Sequence, residues 1–94
     1  MIIGACELQL HLPEVASLKE KRSVLKSLLA RLRNKFNVSA AEVGQNDLWQ
    51  SAIVGIVTVS NSSVHVNQML TQVTNWIESN YPQIMIIDQS IEIL

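Results

Sequence analysis

The sequence predicts an α+β domain with the element order β-α-β-β-α-β, and three observations carry that reading. Residues Ile2 to Leu12 alternate with the period of a strand. Two later stretches, from Leu18 to Phe36 and from Val66 to Ile77, repeat apolar residues at helical spacing. Ala52 to Val59 is a short run that is apolar on both of its faces. A chain of 94 residues is long enough for one two-layer core and too short for a second unit, so residues 1–94 are read as a single domain.

Each element has its own justification. In the first strand Gly4, Cys6, Leu8, Leu10 and Leu12 share one face, while Ala5, Glu7, Gln9 and His11 make a wetter one. Pro13 has no N–H to give and disfavours helix at the residue before it, which ends the strand. Ser17-Leu18-Lys19-Glu20 has the form of a capping box and starts a helix at about Leu18. Leu18, Leu25, Leu28, Leu29, Leu32 and Phe36 form its apolar stripe, within a sector of roughly 100°. Val38 to Val43 is a second strand, and Gly44-Gln45-Asn46-Asp47 has turn composition ahead of Trp49. In the third strand Ala52, Val54, Ile56 and Thr58 oppose Ile53, Gly55, Val57 and Val59. Asn61-Ser62-Ser63 caps a second helix whose stripe is Val66, Met69, Leu70, Val73 and Ile77, lasting to about Asn80. Pro82 closes it, and Ile84 to Leu94 is the last strand, with Asp88-Gln89-Ser90 as the place for an interruption.

With right-handed crossovers this order is the ferredoxin-like sandwich: an antiparallel sheet with both helices on one face. The other face is left open, and the third and fourth strands bring apolar residues to both faces. An exposed apolar patch is therefore expected, with a homo-oligomer through the open sheet face as its resolution. Ile53 and Val57 are the interface candidates on that face, and Trp49 joins them because Trp is enriched among interface hot spots. Only 16% of the chain is charged against roughly 25% in an average domain, which strengthens the case for self-association.

Charge is segregated along the chain. All seven Lys and Arg lie between Lys19 and Lys35, and seven of the eight acidic residues lie outside that segment. On the first helix Lys19, Arg22, Lys26 and Arg33 flank one side of the stripe, Arg31 and Lys35 flank the other, and Lys21 sits near its edge. Cations at a helix C-terminus are favoured by the dipole, which explains Arg31, Arg33 and Lys35. Lys19, Lys21 and Arg22 stand at the N-terminal end, where folding gains little from them. With Lys26, and Arg33 extending the track, they are the candidate anion-binding residues. RNA phosphates are one partner and an acidic protein surface is the other. Base stacking on the sheet is not supported, because the first and third strands contain no aromatic residue, and no feature is specific for DNA.

No catalytic signature accompanies this segment. Glu7, Gln9 and His11 read as a solvated strand face, His65 has no carboxylate at a ligand spacing, and Cys6 reads as a small core residue. Hydrolysis of acyl phosphates by small sandwiches of this kind needs a glycine-rich, Arg-bearing loop after the first strand, and Pro13-Glu14-Val15-Ala16 has neither. A lone cysteine excludes an internal disulfide and a CxxC site. No apolar run approaches the roughly 20 residues of a membrane span. The expectation is a cytoplasmic protein without cofactor or metal.

The stretches Ser17-Leu18-Lys19-Glu20-Lys21-Arg22, Phe36-Asn37-Val38-Ser39, Ala41-Glu42-Val43 and Asp47-Leu48-Trp49-Gln50 give the chain a resemblance, over nearly its whole length, to the YlxP-like family, a small bacterial domain of unknown function. The resemblance implies a ferredoxin-like fold and a cytoplasmic protein, often encoded beside translation and ribosome-maturation factors. It implies no catalytic residue; it marks Ser17 to Arg22, Glu42 and Asp47 to Gln50 as family-typical. One departure is that no basic residue occurs from Gln50 onward, which weighs against a broad RNA-binding surface. The expected function is a non-enzymatic accessory factor that contacts RNA or the ribosome through that helix. The alternative is a protein-interaction module in which the helix meets an acidic surface.

Overall fold

A computed structural model describes all 94 residues. Its elements are β1 (Ile2–His11), α1 (Leu18–Lys35), β2 (Ser39–Gly44), β3 (Ser51–Ser60), α2 (Ser63–Asn80) and β4 (Met85–Ile93). The strands form one sheet in the order β2-β3-β1-β4, every neighbouring pair antiparallel. This is the predicted α+β, ferredoxin-like arrangement. The core lies between the sheet and the helices. Leu8, Leu10, Val54 and Ile56 supply its sheet side, and Leu25, Leu28, Leu32, Val66, Leu70, Val73 and Ile77 supply its helix side. Burial of these side chains from water is the main force that closes the layers.

Local chemistry sets the boundaries. The Leu12 N–H leaves the sheet ladder for the Gln50 carbonyl at 2.9 Å, and Pro13 follows. Ser17 caps α1: its hydroxyl accepts the Glu20 N–H at 3.1 Å, and the Glu20 carboxylate accepts the N–H of Ala16 at 2.8 Å, one residue before the cap. Gly4 is where α2 comes nearest to the sheet, since a Cβ there would collide with Cγ1 of Val66.

The last strand corrects an expectation. Asp88-Gln89-Ser90 does not interrupt β4; the irregularity lies just before it, between the partners of Gln9 and Leu10, and leaves Ile87 without a partner on β1. Such a bulge shifts the alternation of side chains by one. Residues directly opposite in an antiparallel pair share a face, so Asp88, Ser90 and Glu92, opposite Gln9, Glu7 and Ala5, line the open face. Ile91 and Ile93 lie opposite Cys6 and Gly4, on the helix side, where α2 leaves them about 40% exposed. The open face is therefore divided. Its β2–β3 half is apolar, with exposed Val43, Val57 and Val59 around Gly55, and its β1–β4 half carries Glu7, Asp88 and Glu92.

Candidate binding surface on the first helix

The basic residues of α1 fall into three groups with different fates. Lys21 is fully buried. Its ammonium lies 2.9 Å from Oε2 of Glu42, in the one salt bridge of the chain, and donates to the carbonyl oxygens of Gln45 at 3.0 Å, Asn46 at 3.2 Å and Ser51 at 3.1 Å. Lys21 is thereby removed from the anion-binding set in which the sequence placed it. The physical reason is its register: Lys21, Leu25, Leu28 and Leu32 follow one another at helical spacing, so Lys21 continues the core stripe. A buried ammonium needs a counter-charge and full hydrogen bonding: Glu42 of β2 provides the first, and the carbonyls of the loop after β2 and of Ser51, at the start of β3, provide the rest.

Arg31 and Lys35 are used on the side of α1 that faces α2. The Arg31 guanidinium lies 4.8 Å from the ring centroid of Trp76 and 5.2 Å from that of Tyr81, and donates to the Tyr81 hydroxyl at 3.1 Å. Lys35 sits 5.9 Å from the Phe36 ring. Ser27 is tied to the same Tyr81 hydroxyl at 3.1 Å.

Lys19, Arg22 and Lys26 form the third group. All three are exposed, and none makes an ion pair or side-chain hydrogen bond within the chain. Their spacing of three and then four residues puts them in one row, and Arg33, seven residues on, continues it, for about 21 Å along the helix. Arg33 donates to the Ala40 carbonyl on β2 at 2.9 Å, so the row runs along the flank of α1 that overhangs the outer strand β2. Glu20, the only acid of the helix, is occupied by the cap and does not neutralise the row.

The loop between β2 and β3 meets the N-terminal end of this row. Gln45 holds a left-handed backbone, φ 57°, and its carbonyl accepts the Leu48 N–H at 3.1 Å as well as the Lys21 ammonium. At the far end the Gln50 side-chain amide donates to the carbonyls of Pro13 and Val15, both at 3.2 Å, and the His11 ring bonds to the Gln50 carbonyl at 3.1 Å. With both ends anchored, the loop presents Leu48 and Trp49, each about half exposed. Of the three interface candidates, Ile53 and Val57 stand on the open sheet face, Ile53 half-buried and Val57 exposed, whereas Trp49 belongs to this loop.

Sequence reasoning did not single out Glu42 as the partner of Lys21. The available signal was an acid in phase with the inward Ala40 of β2, on the strand that follows the basic helix. Elsewhere the titratable groups are dispersed, and no three His, Cys, Asp or Glu residues come together as a metal would require. Cys6 is buried; desolvation pushes its thiol up, with the Glu7 charge adding to the shift and a Gln89 hydrogen bond opposing it. No helix is long and apolar enough to cross a membrane.

The chain is similar to proteins of one family. The family described as "Protein of unknown function (DUF503)" matches residues 3–91. The "Uncharacterized protein YlxP" of Bacillus subtilis (strain 168) is 45% identical over 83 residues, which cover 88% of this chain and 89% of that protein.

Proposed function

We propose that this chain, which belongs to the DUF503 family of proteins of unknown function, is a non-enzymatic accessory factor that binds RNA or a ribonucleoprotein through Lys19, Arg22, Lys26 and Arg33. The observation that carries this reading is the division of labour on α1. Lys21, Arg31 and Lys35 have structural partners, while three cations in one row have none, and two of them stand where each opposes the helix dipole by about 0.3–1 kcal/mol. A phosphate backbone laid along the row gains counterion release, so affinity falls with salt. Three to four neutralised phosphates correspond to a slope of roughly −2 to −3 in log K against log salt for a single strand.

The test is ribosome co-sedimentation at low and high salt, joined to anisotropy titration of a labelled ribosomal RNA fragment. Binding is expected to weaken with that slope and to be lost in an R22E/K26E double variant whose circular dichroism is unchanged. Affinity that survives both salt and the double variant would overturn the proposal. The second reading is a protein partner with an acidic surface, and exposed Leu48 beside the row favours it. A partner captured equally before and after nuclease treatment would establish that reading instead.

A second copy of the chain is the proposed partner of the open sheet face. Val43, Val57 and Val59 are 54%, 41% and 52% exposed on one half of it, and Gly55 leaves a shallow groove between β2 and β1.

A further inference from the structure

Trp49 carries an inference that rests on the RNA reading and narrows it. We propose that the Trp49 indole is a stacking platform for an unpaired base, and that the surface takes single-stranded RNA in preference to duplex.

Three observations support this. First, the platform and the cationic row are one rigid piece. The Lys21 ammonium bonds the carbonyls of Asn46 and Ser51, on either side of Trp49. Lys21 itself lies in the turn of α1 that carries Lys19 and Arg22. Second, the exposure of Trp49 does not come from a loose loop. Hydrogen bonds from Lys21, Leu48, Gln50 and His11 hold the segment at both ends, so the backbone that carries the ring is already ordered and its ordering is not a cost of binding. Phe36, Trp76 and Tyr81 pack on one another or on Arg31, whereas Trp49 has no aromatic or cationic neighbour in stacking range. Third, the cations form a single row on a chain that is otherwise acidic, with about −7 outside the basic segment. A single strand can follow one row and meets exposed Asp47 beside the ring, with Glu7, Asp88 and Glu92 away on the open sheet face, whereas a duplex brings a second line of phosphates towards the acidic remainder. Backbone cations followed by an aromatic ring are the two parts from which sequence-tolerant single-strand sites are built.

The experiment uses the full chain with fluorescein-labelled oligo(U) and a labelled duplex RNA of equal length, titrated by anisotropy at low salt. Oligo(U) is expected to bind more tightly than duplex. W49A should weaken oligo(U) by about 5- to 150-fold, the range for loss of one stacked base, and W49F should restore most of it. The salt slope should be unchanged in both variants, because the phosphates still meet the same row. Oligo(U) affinity that is indifferent to W49A, or duplex bound as tightly as oligo(U), overturns the stacking platform while R22E/K26E sensitivity leaves the RNA reading standing. Binding of neither RNA, together with binding of labelled polyglutamate, overturns both and assigns the row to acidic protein.

Discussion

Lys21 and Arg22 are neighbours of the same charge with opposite roles. The ammonium of Lys21 joins α1 to the β2–β3 loop and the strand ends on either side of it through four oxygen atoms; the guanidinium of Arg22 makes no ion pair or hydrogen bond in the chain. K21M keeps much of the side-chain length but leaves Glu42 without its counter-charge and removes the ammonium's hydrogen bonds to three carbonyls. It is expected to destabilise the fold by about 3–5 kcal/mol in urea denaturation, the cost of breaking a buried pair. R22E is expected to stay within about 0.5 kcal/mol of the parent in the same measurement, as for a surface position without partners. If K21M were as mild as R22E, the ammonium would not hold the loop. The cap at Ser17 and Glu20 was legible in the sequence because both partners lie within one turn. The burial of Lys21 was not, because it depends on the inward orientation of Glu42, and the β2 register that sets it is a contact over 21 residues.

At the level of elements, the two helices and four strands were legible because each carries its own period and its own stop signals. Both helix starts were readable from their caps. What local pattern could not show was which face each residue of β4 occupies. Ile87, the bulged residue, is as apolar as its neighbours, and only the pairing with β1 reveals the shift that turns Asp88, Ser90 and Glu92 to the open face. The contact between α2 and β1 is equally non-local. G4A would place a methyl group against Val66 and 3.3 Å from Cδ1 of Leu70, so Val66 must leave its rotamer or α2 must move away from the sheet. Overpacking of this kind costs about 1–3 kcal/mol. A melting temperature lowered by at least about 4 °C in a thermal scan is the expected reading. An unchanged melting temperature would mean that α2 adjusts without cost.

The whole molecule has two surfaces of unlike character, a cationic flank on α1 and an open sheet face that is apolar on one half and acidic on the other. Self-association through the apolar half keeps the flank free for a ligand, so the two proposed interactions do not compete. The parent chain, of 10.5 kDa, is expected to elute with at least twice that mass in size exclusion with light scattering at tens of micromolar. V57K should give the monomer mass, because an ammonium in the middle of the patch would be buried unpaired. A parent that is monomeric under those conditions overturns the interface and leaves the cationic flank untouched. The apolar half was legible from the two-sided β3 run. The acidic half was not, since Glu7, Asp88 and Glu92 are separated in sequence and meet only through the sheet.

The placement of the two tryptophans has one more consequence. Trp76 lies in the seam between α1 and α2, with Phe36, Tyr81 and Arg31 around it, while Trp49 faces water at the loop. Intrinsic fluorescence of the unlabelled chain thus contains two optical channels. Acrylamide reaches the indole at the loop before the one in the seam, and separation of the helices by denaturant is reported by the seam. Occupancy of the surface and integrity of the fold can be followed in the same cuvette, each through its own indole.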